Sequence, residues 1–199
     1  MQELVLATKN LNKVHELQQL LEAENVHVRS LAELGGEDVA ETGTTFEDNA
    51  RLKVQSAVAQ FHLPTLADDS GLMVDYLHGQ PGVRSARYAG DHNDAANNAR
   101  LLTELGGVAP TQRQAQFVTT MVYFDPQMQV ELVAEGKLVG QIMTVPQGND
   151  GFGYDPLFYV SELDCTLAQL SLAEKNKISH RARALQEFLR QYRRLNLQK

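Results

Sequence analysis

The 199-residue sequence predicts a mixed α/β fold, and three observations predict it. A short apolar run, Leu4–Ala7, gives way at once to apolar residues at helical spacing. Two segments farther on, QAQFVTTMVYF and MQVELVAEGKLVG, are rich in β-branched and aromatic residues around an Asp125-Pro126 turn. The C-terminal stretch returns to helical periodicity.

The elements follow in chain order. Leu4–Ala7 is read as a buried strand. Residues 11–22 place Val14, Leu17, Leu20 and Leu21 on one helical face. Thr8-Lys9-Asn10 forms the turn between them. A second helix is predicted over 45–61: Thr44 and Glu47 fit a capping box, and Phe46, Ala50, Ala57, Val58 and Phe61 make its stripe. LADDSGLMVD follows as a strand continuing to Leu77. HGQPGVRSARYAGDHN is polar and turn-rich and reads as a long exposed loop. A helix over 94–105 carries Leu101, Leu102 and Leu105 and is stopped by Gly106-Gly107. After the two long strands, PQGNDGFGYDP is a Gly-rich loop leading into the short strand LFYV. The last helix starts near Ser179, with Ala182, Leu185, Phe188, Leu189 and Tyr192 on its buried face. No repeat, low-complexity tract or linker interrupts this order, which makes residues 1–199 one domain.

Composition narrows the function. The chain is 43% apolar and 22% charged, with a net charge of −7, and its Lys and Arg are scattered. No basic stripe marks a nucleic-acid partner. The single cysteine, Cys165, excludes an intrachain disulfide framework and a Cys-rich metal site. MQELVLATKN has too short an apolar run for a secretory signal, and no segment reaches the ~18 apolar residues of a membrane span. These features predict a soluble, cytoplasmic protein.

Three tempting signatures fail. EGKL at 135–138 lacks the earlier Gly and the following Ser or Thr of a P-loop. HELQQ at 15–19 has Gln19 where a zinc helix needs its second His. Gly151-Phe152-Gly153 has no third Gly at dinucleotide spacing and precedes a strand. The adjacent acids Asp68 and Asp69 survive inspection. They sit in an apolar strand, where carboxylates resist burial without a partner. Successive strand residues face opposite ways, so one of the two faces a given site. Mg²⁺ favours carboxylate and phosphate oxygens together, which makes Asp69, helped by Glu41, a candidate metal anchor. At the last helix, His180, Arg181 and Arg183 crowd the positive helix end, an arrangement that a bound anion would stabilise. Lys175 and Lys177 lie just upstream. ATKNLNK offers free backbone N–H groups with Thr8, Asn10 and Lys13 beside a helix start, a phosphate cradle by chemistry. Phe152 and Tyr154, between permissive glycines, offer flat surfaces for a ring.

Six pieces in order, LATKNLNK, ETGTTFEDNARLK, LADDSGL, PGVRSARYAG, GFGYDP and EKNKISHRARAL, resemble the inosine/xanthosine triphosphate pyrophosphatases. The resemblance covers nearly the whole chain. It implies an elongated mixed β-sheet flanked by helices, two lobes around a central cleft, and a homodimer. It also implies Mg²⁺-dependent hydrolysis of ITP, dITP or XTP to the monophosphate and pyrophosphate. By that resemblance Thr8, Lys9, Asn10, Leu11, Asn12 and Lys13 are the triphosphate-binding turn. Asp69 is the proton acceptor and Mg²⁺ ligand, Ser70 touches substrate, Glu41 and Asp68 support the metal, and Lys53 is a phosphate-side cation. Phe152, Gly153, Tyr154, Asp155, Lys175, His180 and Arg181 fall on the nucleobase side. Many members have Gly where this chain carries Asp150. Two other readings remain open from the residues: a phosphomonoesterase with an aspartyl nucleophile, although its two aspartates are usually one residue apart, and a nucleotide sensor without turnover.

Overall fold

The computed structural model describes residues 2–21, 26–90 and 93–196. In chain order it contains β1 (Gln2–Leu6), α1 (Leu11–Leu21), β2 (Val26–Ser30), α2 (Phe46–Phe61), β3 (Thr65–Val74) and α3 (Asp94–Glu104). β4 (Gln114–Asp125), β5 (Val130–Ile142), β6 (Phe158–Val160), β7 (Cys165–Thr166), α4 (Leu172–Ile178) and α5 (His180–Asn196) follow. The strands form one mixed sheet in the order β2-β1-β3-β4-β5-β6-β7. β1 pairs parallel with β2 and β3, while β6 pairs antiparallel with β5 and β7. The expected mixed sheet flanked by helices is what the chain forms. No helix among the described residues is long and apolar enough to cross a membrane.

The chain divides into two compact units. The first comprises residues 1–69, 119–136 and 181–199, and strand alternation explains its packing. Leu4, Leu6 and Leu66 point to one sheet face, where they meet Leu17 and Leu21 of α1 and Leu185 and Phe188 of α5. Val5, Ala7 and Ala67 point to the other, against Ala50, Val54 and Ala57 of α2. A strand covered on both faces has to be apolar at every position, which is why LVLA reads as an unbroken run. The side chain of Leu20 lies outside the described residues.

The second unit, 70–118 and 137–180, packs Leu72, Val74, Leu101, Leu105, Phe117, Leu157, Phe158 and Leu167 into its own core. Arg113 is buried there, with its guanidinium donating to the carbonyls of Leu105 (2.7 Å), Val108 (3.1 Å) and Met143 (3.2 Å). Those carbonyls lie past the end of α3 and after β5, so the planar donor fork satisfies acceptors that burial would otherwise leave exposed to a penalty.

Several sequence expectations shift. β3 ends at Val74 rather than Leu77, because Asp75–Leu77 turns into a 3₁₀ helix closed by His78 in the left-handed region (φ 52°). The expected exposed loop at 78–93 contains a further 3₁₀ helix, Gly82–Arg87, with Ser85 and Tyr88 buried. Ser85 Oγ takes the Leu72 N–H at 2.9 Å, which ties this segment to β3. β2, β7 and α4 were not foreseen. α2 is capped by Thr45, not Thr44: Thr45 Oγ1 accepts the Asp48 N–H at 3.1 Å, and Glu47 instead pairs with Arg51 at 2.8 Å. Of two adjacent threonines, the one whose third successor is Asp48 closes the first turn.

This shift is directly testable. Thr45→Ala is expected to cost about 1 kcal/mol in urea unfolding, the usual loss for a missing N-cap. Thr44→Ala, at an exposed position outside the helix, is expected to change the midpoint little. Equal effects of the two changes would contradict the assigned cap.

Candidate active site

The first unit gathers charged side chains around β3. Its burial pattern leaves Asp68 2% and Asp69 5% exposed, and successive strand residues send the two carboxylates different ways. Asp68 meets Lys13 of α1 (Nζ–Oδ2 3.0 Å) and Arg181 of α5 (Nε–Oδ2 3.4 Å). Asp69 meets α2: Asn49 Nδ2 donates to Oδ2 at 3.0 Å, and Lys53 Nζ lies 3.4 Å from Oδ1. The same ammonium donates to the Asp68 carbonyl at 3.0 Å and lies 2.5 Å from Glu41 Oε1. Asn49 and Lys53 are four residues apart and so share a face of α2. Asn49 Oδ1 in turn accepts the Gly43 N–H at 2.8 Å, fixing the loop that carries Glu41.

The two acids differ electrostatically. Burial alone would raise the Asp68 carboxyl, but Lys13, then Arg181 and Lys53, outweigh it and hold the group far below the ordinary carboxylate range. Burial wins at Asp69, whose carboxyl is pushed up despite Lys53 and Lys13. Asp68 is therefore held as a negative charge, whereas burial disfavours the charged form of Asp69. Burial lowers the Lys53 ammonium, but Asp69 and Glu41 overcome it and raise the group.

Among the described residues no three His, Cys, Asp or Glu side chains gather as a ready metal site. Mg²⁺ does not need one, since it is commonly held by one or two carboxylates plus substrate phosphates and water. Glu41 and Asp69 already converge on one cation, the Lys53 ammonium, and their donors are hard oxygens. That donor chemistry fits Mg²⁺. The Asp68 contacts run through Oδ2, to Lys13 and Arg181.

At the N-terminal turn, Asn10 caps α1: its Oδ1 accepts the Lys13 N–H at 3.2 Å, and Thr8 Oγ1 accepts the Asn10 N–H at 3.2 Å. Lys9 and Leu11 are exposed, Leu11 at 72%. Asn12 lies in α1, its side chain outside the described residues. Ser70 is half-buried on β3 next to Asp69.

The second unit holds the aromatic loop. Phe152 is half-buried, and the Lys175 ammonium sits 4.6 Å from its ring centroid. Lys175 and Asp155 form a buried ion pair (Nζ–Oδ2 2.7 Å, both side chains 3% exposed), and Asp155 Oδ2 also accepts the Phe152 N–H at 2.9 Å. Gly151 is required here. Its φ is +77°, and a Cβ would lie 2.2 Å from Asp155 Oδ2. His180 stacks on Phe117, centroids 4.7 Å apart and planes 12° apart. Tyr154 departs from its expected role as a flat ligand surface: it is 4% exposed within the core, and its hydroxyl donates to the Ser85 carbonyl at 2.9 Å. Asp150 is exposed, with its N–H on the Ala168 carbonyl at 3.0 Å.

The sequence model of the Ham1 family matches residues 4–191. The chain belongs to the Ham1 family. It is 48% identical over 192 residues to a dITP/XTP pyrophosphatase of Lactiplantibacillus plantarum, covering 96% of this chain and 95% of the relative. It is 47% identical over 189 residues to a dITP/XTP pyrophosphatase of Pseudomonas aeruginosa, covering 93% and 94%. The Staphylococcus aureus Ham1 protein superposes with a TM-score of 0.86 at 42% identity over all of both chains. A HAM1 protein of Coxiella burnetii gives 0.87 at 39% identity over 94% of this chain and 96% of that one.

In this Ham1 chain the expected acids and cations fall into two groups, one in each unit. Arg181 is 2% exposed and its Nε reaches Asp68 Oδ2 at 3.4 Å. Sequence reasoning missed Asn49, fully buried and holding Asp69. The available signal was a polar residue one turn before Lys53 on the face that also carries Ala50 and Val54. It also missed Asp94 and Asn98, whose partners lie in the aromatic loop.

The contrast between the two acids gives opposite stability effects. Asp68→Asn leaves Lys13 and Arg181 facing a neutral group and is expected to lose ~3 kcal/mol of unfolding free energy. Asp69→Asn removes a charge that burial disfavours and is expected to be neutral or stabilising near pH 7. The sign follows from linkage: a depressed acid contributes stability above its unfolded pKa that is lost as pH falls, and a raised acid does the reverse. Chemical denaturation of the parent and both variants from pH 3 to pH 8 checks this, since the Asp68 contribution is lost only as pH falls below the ordinary carboxylate range; a larger loss for Asp69→Asn would reverse the assignment.

Proposed function

We propose that the protein hydrolyses deaminated purine nucleoside triphosphates, ITP, dITP and XTP, to the monophosphate and pyrophosphate, with Mg²⁺. The observation that carries this reading is the convergence of Glu41 and Asp69 on one cation position, with Asn49 holding the second Asp69 oxygen. Family membership and the names of the relatives support the substrate class.

The chemistry assigned to the chain's residues is simple. The turn from Thr8 to Lys13 receives phosphate at the start of α1, where backbone N–H groups and the helix dipole favour an anion. Asp69 Oδ1 orients water toward the α-phosphorus and accepts its proton. The bond from the α-phosphorus to the bridging oxygen breaks, and pyrophosphate leaves with its charge offset by the Lys13 and Lys53 ammonium groups. When bound at Glu41 and Asp69, Mg²⁺ supplies further neutralisation of the phosphate oxygens. Asp68 holds Lys13 and Arg181 in place. On the base side we assign Phe152 to stacking, with Gly153, Asp155, Lys175 and His180 around it. A 6-keto oxygen accepts from donors where the amino group of adenine would leave them unpaired, and such mismatches can discriminate by ~10⁴-fold. A homodimer, two lobes around a cleft and a cytoplasmic location are proposed on the sequence resemblance.

The deciding assay is product release across XTP, dITP, ITP, GTP and ATP. Pyrophosphate is expected from the first three, far faster than from ATP, with activity abolished by EDTA and restored by Mg²⁺. Orthophosphate would favour the phosphomonoesterase reading, and binding without turnover the sensor. Asp69→Asn is expected to lower kcat by ~10²-fold or more in a folded protein; near-normal turnover would remove Asp69 from the reaction.

Arg181→Ala separates two assignments of that residue. Its contact with Asp68 leads us to expect comparable losses of kcat/KM on XTP and ATP. A loss confined to XTP would return Arg181 to base recognition.

A further inference from the structure

Both main-chain groups of Gly153 are held by side chains of one helix. The Gly153 N–H donates to Asp94 Oδ2 at 2.7 Å, and its carbonyl accepts from Asn98 Nδ2 at 2.9 Å. Residues 94 and 98 are four apart, so they share a face of α3 one turn apart. Gly153 has a φ of +62°, and a Cβ there would meet nothing within 4 Å. The position therefore needs glycine for its backbone conformation rather than for space, and the two α3 side chains hold that conformation.

The helix making the grip is itself anchored. Asn93 caps α3 by accepting the Ala96 N–H at 3.0 Å. Asn97, 2% exposed, accepts the Ala89 N–H at 2.6 Å and donates to the Ala86 carbonyl at 3.2 Å. On the other side of Phe152, its own N–H is held by Asp155, and Lys175 covers its ring. Phe152 thus sits between two fixed points, one from α3 and one from the Asp155–Lys175 pair. The Asp94 bond is exposed, and water replaces an exposed hydrogen bond at little cost to folding. What the bond contributes is one fixed conformation of a glycine-rich loop.

We infer that Asp94 and Asn98 are positioning residues that preset the Phe152 loop for the purine ring, and so sharpen the choice of base. The inference rests on the proposed base-side role of that loop. A loop ordered before binding does not lose that backbone freedom when the ring arrives, so affinity rises without any new contact. The ordering favours the base whose edge matches the preset loop, and a ligand without a base gains nothing from it.

The test uses the full-length enzyme with XTP, ATP and tripolyphosphate, a base-free competitor. Asn98→Ala and Asp94→Ala are expected to raise KM for XTP by ~10-fold while kcat changes less than ~3-fold. The XTP to ATP ratio of kcat/KM narrows, and inhibition by tripolyphosphate is unchanged. Asp94→Asn keeps an acceptor for the Gly153 N–H and is expected to restore most of the loss. Asp94 is exposed, so its variants fold even if Asn98→Ala does not. An unchanged XTP to ATP ratio in the Asp94→Ala variant would overturn the inference. So would a weakening of tripolyphosphate in step with XTP, which marks a general structural defect. A parent enzyme that fails to distinguish XTP from ATP overturns the base-side reading and this inference together, whereas a selective parent with an equally selective variant overturns the inference alone.

Discussion

The charge on Asp68 is the constraint from which the first unit is built. An ion with 2% exposure loses hydration worth several kcal/mol, and only close opposite charge restores it. Lys13 and Arg181 supply that charge from α1 and α5, helices far apart in sequence, and Lys53 adds to it from α2. Each cation arrives from an element whose apolar face is packed on the same sheet. Core packing thus delivers the charges, and the charges fix where the start of α1 and the start of α5 lie against β3.

With Asp68 satisfied, its neighbour is left in the opposite condition. Asp69 shares Lys53 with Glu41 and receives one neutral amide, so burial dominates its titration. A strand alternates its side chains, and one residue step separates a carboxylate held charged by close cations from one whose charge burial disfavours. Two adjacent aspartates therefore sit in opposite electrostatic settings without any difference in residue type.

What the sequence disclosed tracks the range of the interaction that decides each feature. The helices and long strands were legible because their periodicity is local, and so was the acid pair. The end of β3 at Val74 was not, because it depends on a tight turn at 75–78 and on Ser85 Oγ capturing the Leu72 N–H. Asp68, which Arg181 reaches, lies 113 residues away, and no local pattern announces the contact. Asn49 reads as an unremarked polar residue in a helix until its two partners, Asp69 and Gly43, are in place. Helix α4 was legible and overlooked: Ser171 and Glu174 form the capping box that the order SLAE spells. The cap on α2 shows the limit of the same rule: Thr44 with Glu47 matches it, yet Thr45 Oγ1 takes the Asp48 N–H and Glu47 pairs with Arg51.

The aromatic loop poses the reverse problem from the acids. Gly151 and Gly153 adopt backbone angles that other residues resist, and that freedom would leave the loop without a defined shape. Side chains restore definition by binding main chain: Asp155 takes the Phe152 N–H, and Asp94 and Asn98 take both groups of Gly153. Asp155 can serve as a buried acceptor only because Lys175 neutralises it, and Lys175 in turn is placed by α4, whose start the Ser171 cap fixes. Where the chain turns sharply at permissive glycines, three acidic or amide side chains bind its main chain on either side of the Phe152 ring.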